Sequence, residues 1–100
     1  QGDYSMINKI IININNFNVL AKLTKGEIPI LAELLRKTNE DGEYRGLIIL
    51  NASIRKNIIS SLEIQSASFN NSLNALTKKG FLTRIDTNIY KPNTNLFELQ

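Results

Sequence analysis

The chain has 100 residues, 42% of them hydrophobic, a net charge of +3, and neither cysteine nor histidine. That length supports one domain with a modest core, and the two missing residue types exclude Cys/His zinc sites, disulfides, thiol nucleophiles and imidazole acid–base catalysis. Charge is uneven: residues 1–50 hold six basic and six acidic residues, whereas residues 51–91 hold Arg55, Lys56, Lys78, Lys79, Arg84 and Lys91 against only Glu63 and Asp86, and a localised basic face is the electrostatic mark of a polyanion partner.

In chain order, Met6 reads as the native start, with residues 1–5 added before it. No basic stretch leading into an apolar one marks a secretory signal. Residues 7–14 place Ile10, Ile12 and Ile14 on one side of an expected strand. Asn15 or Asn16 then caps a short helix carrying Phe17, Leu20 and Ala21. Thr24 and Glu27 have capping-box spacing for a second helix, whose predicted buried stripe is Ile28, Leu31, Ala32 and Leu35. Pro29 allows a start nearer Gly26, where it falls in the first turn.

Residues 38–46 are turn material, and 47–50 form a short apolar strand. Asn51 or Ser53 caps a helix running to about Ser61, with Ile54, Ile58 and Ile59 inward and Arg55 and Lys56 outward. Leu62-Glu63-Ile64 is a short connection to a helix over 66–79, with Gly80 as its C′ residue. Residues 81–85 and 89–91 are two strands around the tip Asp86-Thr87-Asn88. A polar tail ends in Leu96, Phe97 and Leu99. No stretch reaches the roughly 18 apolar residues of a membrane span; the absence of cysteine fits a reducing cytosol, and the expected location is the cytoplasm.

The order of helix, short turn, helix and two-stranded hairpin predicts an α+β, mainly α, winged helix-turn-helix. Its core would be 24–91, with 1–23 as a candidate dimerisation segment and 92–100 as tail. On helix 66–79, Phe69, Leu73 and Leu76 form one apolar stripe and join Leu82 and Ile58 in the predicted core, with Tyr90 assigned to packing. The opposite face carries Ala67, Asn71, Asn74 and Lys78, flanked by Ser66, Ser68 and Asn70. Asparagine can donate to N7 and accept from N6 of adenine, and a methyl-sized residue suits the thymine methyl. Asn71 and Asn74 are therefore expected to read adenine and Ala67 to pack on thymine. Arg55, Lys56, Lys78, Lys79 and Arg84 are expected to form one contiguous phosphate-facing surface. Against this, Ile, Asn and Lys number 15, 14 and 8, all with AT-rich codons. A low-GC genome would place asparagines on any exposed helix face.

The segment Ile54 to Phe97 resembles the RepL-like plasmid replication proteins and, more broadly, the MarR-like winged-helix DNA binders. The resemblance lies in the Arg55-Lys56 helix start, the Leu62-x-Ile64 turn, Leu76-x-Lys78-Lys79-Gly80-x-Leu82-x-Arg84-Ile85, and the closing Ile89-Tyr90-x-Pro92-Asn93-x-Asn95-Leu96-Phe97. It implies sequence-specific binding of double-stranded DNA in replication initiation or transcriptional control; the expected partner is AT-rich duplex and the expected source a low-GC bacterium, plasmid or phage. It brings no cofactor, metal, membrane or small-molecule ligand with it. The departures are Glu63 for the usual glycine of the turn, Gln65 for the usual serine cap, an Asp86-Thr87-Asn88 tip for a basic one, and no arginine on the reading helix. Each lost phosphate contact weakens binding. A homodimer would recover affinity by doubling the contacts. The alternative is a winged-helix module for protein contacts or a virion-associated one, without DNA binding. An enzyme is disfavoured because no catalytic residues converge.

Overall fold

Residues 9–99 are described by the computed structural model of the chain; Met6 and the first part of the expected 7–14 strand lie outside them. Helices and two small antiparallel sheets make it an α+β protein.

Strand β1 (Ile10–Ile12) is shorter than expected because Asn13 turns the chain, its side chain accepting from the Asn15 N–H at 2.8 Å. A 3₁₀ helix, Ile14–Lys22, follows. Of its expected apolar face only Leu20 packs against the core, joined by Val19 and Leu23, while Phe17 is 61% exposed and Ala21 is exposed too; Ile14, expected on the strand, is 83% exposed.

Helix α1 (Glu27–Arg36) begins with both halves of the Thr24/Glu27 capping box. The Thr24 N–H donates to Glu27 Oε1 at 3.0 Å, and the Glu27 N–H donates to Thr24 Oγ1 at 3.3 Å. Pro29 sits in the first turn, where its missing N–H has no intrahelical partner to lose. The buried stripe is Ile30, Leu31, Leu34 and Leu35, while Ile28 is 53% exposed. Leu31 and Leu35 fit either phase of the helix; Glu27 decides it, because facing the core for its ion pair turns Ile28 outward.

A turn-rich loop leads to β2 (Ile48–Ile49) and then α2 (Ala52–Leu62), which Asn51 caps by accepting the Ile54 N–H at 2.9 Å. Helix α3 (Ser66–Lys78), β3 (Leu82–Asp86) and β4 (Ile89–Pro92) complete the order. Helix α1 packs on both α2 and α3. The three-stranded sheet has the order β2-β4-β3, so the chain's first strand of that sheet pairs with its last. A bulge between Arg84 and Asp86 bends β3 just before the hairpin tip.

Ile58, Phe69, Leu73, Leu76, Leu82 and Tyr90 are all buried in one core with Ile48, Leu50, Phe81 and the α1 stripe. The tail joins this core. Strand β5 (Phe97–Leu99) pairs antiparallel with β1, Ile12 opposite Phe97 and Ile10 opposite Leu99. The Phe97 ring stacks on Phe81 with centroids 6.3 Å apart. The end of the expected 92–100 tail is thus partner to the N-terminal strand within one chain.

No helix among the described residues is long and apolar enough to cross a membrane. Among them, too, no group of three or more His, Cys, Asp or Glu could hold a metal ion.

Candidate nucleic-acid interface

The two helix ends that flank α3 use the same motif with different residues. At the end of α2, the Ile64 N–H donates back to the Ile59 carbonyl at 3.1 Å, and Glu63 between them is left-handed at φ 55°. At the end of α3, the Phe81 N–H donates to the Leu76 carbonyl at 3.0 Å, with Gly80 at φ 89°. Both are Schellman-type terminations. Glycine adopts this conformation freely; glutamate does so against Cβ sterics.

Between these ends, α3 presents its polar face to solvent. Ser66, Ala67, Ser68, Asn70, Asn71, Asn74 and Lys78 are exposed, and Phe69, Leu73 and Leu76 are buried beneath them. Ala67, Asn71, Asn74 and Lys78 fall on one line because their spacing follows the helical turn. Among the described residues, the side chains of Ser66, Ser68, Asn71 and Asn74 make no hydrogen bond, so their donors and acceptors face water. Gln65 precedes the helix with extended backbone and no side-chain cap, which also leaves the first N–H groups of α3 without a side-chain acceptor.

The basic residues divide. Lys56, Lys78 and Arg84 are exposed and, among the described residues, carry no ion pair or side-chain hydrogen bond. Lys79 is a correction to the expected surface. Its Nζ lies 2.6 Å from Glu27 Oε1 and donates to the Lys22 carbonyl at 2.8 Å, turned in toward α1 and the 3₁₀ helix. The physical reason is Glu27, a buried carboxylate that needs a countercharge. The Lys79 ammonium, and after it the Thr24 N–H, hold the Glu27 carboxyl below the usual carboxylate range despite its burial.

Arg55 is half-buried rather than free. Its Nη1 donates to Asn70 Oδ1 at 2.8 Å and its Nη2 to Asn88 Oδ1 at 3.3 Å. The guanidinium carbon lies over the Phe69 ring, 5.5 Å from its centroid. Lys79 and Arg55 are thus committed to partners within the fold, and Lys56, Lys78 and Arg84 remain exposed. Arg55 stands at the start of α3 and Lys78 eight residues beyond Asn70, a rise of about 12 Å along the helix. Asn88, which the sequence reading placed only at a hairpin tip, is the residue it missed. Its backbone is left-handed at φ 61°, and its carbonyl accepts the Leu50 N–H at 2.7 Å. An asparagine at the end of a hairpin tip is the one signal that pointed there.

No protein-family model matches the chain, and neither a curated protein nor a solved structure does.

Proposed function

We propose that the chain is a winged-helix protein that binds double-stranded DNA, with α3 as the reading helix and the β3–β4 hairpin as the wing. The observation that carries this reading is the outward face of α3. Seven exposed positions carry six small polar or methyl-sized side chains and one lysine, with Ala67, Asn71, Asn74 and Lys78 on successive turns, a surface with the hydrogen-bonding versatility that base edges require. The element order α1, β2, α2, α3, β3, β4 and the sheet order β2-β4-β3 support it, because they set a two-stranded hairpin beside the second helix of a short-turn pair. In this reading Asn71 and Asn74 read adenine, Ala67 meets a thymine methyl, and Lys56, Lys78 and Arg84 contact phosphates. The role is replication initiation or transcriptional regulation on plasmid, phage or chromosomal DNA in the cytoplasm.

The partner copy of a homodimer would cover Ile10, Ile11, Ile14 and Phe17, exposed at 40%, 48%, 83% and 61%. Two reading helices would then meet half-sites about 34–36 Å apart. Sedimentation showing a monomer at tens of micromolar removes the dimer from the proposal.

The experiment for DNA binding compares the chain's salt-dependent retention on AT-rich duplex and on heparin. Binding that persists on duplex at salt sufficient to release heparin supports base reading. Equal release from both shows charge attraction alone. A protein-interaction module is the second reading, favoured by Asp86 and Thr87 at the hairpin tip and by Ile85 beside them, 52% exposed.

A further inference from the structure

We infer that Arg55 is a positioning residue: its guanidinium braces the hairpin tip against α3 and fixes the angle at which helix and hairpin present themselves together. The inference rests on the reading of that pair as a DNA-binding surface, and it removes Arg55 from the phosphate contacts that charge alone would assign to it.

The geometry is a three-way junction. Arg55 leaves the first turn of α2, reaches Asn70 on α3 with one nitrogen and Asn88 at the hairpin tip with the other, and covers the Phe69 ring. A planar fork of fixed donors suits this task, since both amide oxygens are met without bending the group. Lysine, a point donor on a flexible stem, could not span the two while lying over the ring. Asn88 is gripped from a second side, because its backbone carbonyl accepts the Leu50 N–H at 2.7 Å, just ahead of the α2 cap. The hairpin tip is thus tied to both ends of the segment that leads into α2.

The test has one arm without DNA and one with it. In the free protein, hydrogen exchange of the Leu50 amide reports release of the hairpin tip directly, because its acceptor is Asn88. Two variants remove the brace: Arg55→Gln, and Asn88→Gly, which deletes the side-chain acceptor while keeping a residue at ease in the left-handed backbone. Both should speed Leu50 exchange roughly tenfold while the Leu34 amide inside α1 keeps its rate, marking local opening. In the second arm, both variants should narrow the discrimination between a selected duplex and scrambled sequence several-fold, with the salt slope of Arg55→Gln unchanged. Unchanged Leu50 exchange in both variants overturns the brace. So does a salt slope lower by about one in Arg55→Gln, the signature of a lost phosphate contact. If the unaltered chain binds no duplex, the proposed function falls, and the exchange arm still decides whether Arg55 holds the hairpin.

Discussion

The two ends of α3 are held in opposite ways. At its C-terminal end, Lys79 is paired with the buried Glu27, Gly80 takes the left-handed turn without strain, and Asn93 Nδ2 donates to the Gly80 carbonyl at 2.7 Å. At its N-terminal end, Gln65 supplies no cap and Glu63 occupies a conformation suited to glycine. The side-chain tether to another element there is Arg55 on Asn70. The helix is anchored where it meets α1 and lightly held where its base-reading candidates begin. A helix held in this way can adjust only its first turn, Ser66 to Ser68, at small cost, because those three side chains are exposed whereas Phe69 beside them is buried in the core.

The largest expected effect lies at the anchored end. Glu27→Gln leaves the Lys79 ammonium, at the end of a side chain 28% exposed, without its countercharge. Breaking a fully buried pair costs about 3–5 kcal/mol, and this partial exposure lowers the figure to about 2–3 kcal/mol. Urea unfolding measures it, and a loss under about 0.5 kcal/mol, the scale of a surface pair, would show that the pair does not anchor the helix. The same pair fixes a pH dependence. Glu27 titrates lower in the fold than in the unfolded chain. Its contribution is therefore complete above the unfolded value of about 4.3 and is lost as pH falls below that, through the folded value. Glu27→Gln should flatten this acid limb; an acid limb of unaltered steepness assigns it to other carboxylates.

Next in size is the proposed reading face. Asn71→Ala should cost about 1–3 kcal/mol at a selected duplex while leaving scrambled duplex nearly unaffected. Arg84→Ala should weaken both alike and lower the salt slope by about one. Binding across a salt series separates the two. If Asn71→Ala weakens both duplexes equally, the face only positions the protein, and its asparagines reflect composition.

Much of this contrast was legible in the sequence, because its causes are local. Asn51 before an apolar period, Gly80 after one, and the stripe of Phe69, Leu73 and Leu76 each lie within a few residues of what they determine. The departures Glu63 and Gln65 were visible too, and they are the two weak points of the N-terminal end. The rest depends on pairings distant in sequence. Nothing near Ile10 announces Leu99 as its partner, and nothing near Lys79 announces Glu27, fifty-two residues away. The capping box revealed Glu27 by its bond to Thr24, but only the packing of α1 on α3 shows that the same carboxylate faces inward. Arg55 misled for a related reason, since charge indicates attraction to phosphate but not prior commitment to neutral amides.

Glu63→Gly tests the strain at the lightly held end, with Gly80 as its internal reference. A non-glycine residue in the left-handed region costs about 1–2 kcal/mol, and glycine returns part of this through the greater freedom of its unfolded chain. The net gain should be about 1 kcal/mol, read as a higher urea midpoint at unchanged m-value. A destabilised variant would mean that Glu63 makes contacts worth more than its backbone strain.

The smallest expected effect is Gln65→Ser. Gln65 already has the extended backbone of an N-cap, φ −92° and ψ 154°, but its side chain makes no capping bond. A serine hydroxyl on that same backbone is short enough to accept from the Ala67 or Ser68 N–H, the groups two and three positions into the turn. Caps of this kind are worth about 0.5–1 kcal/mol. The gain bears on the contrast between the ends when it is combined with Glu27→Gln. Positions 65 and 79 are separated by fourteen residues of sequence, about 20 Å of helix, so independent ends require the two changes to add within about 0.3–0.5 kcal/mol. A larger coupling would show that loosening the anchored end is felt at the first turn. The helix would then move as one rigid piece, and the freedom assigned to its leading turn would not exist.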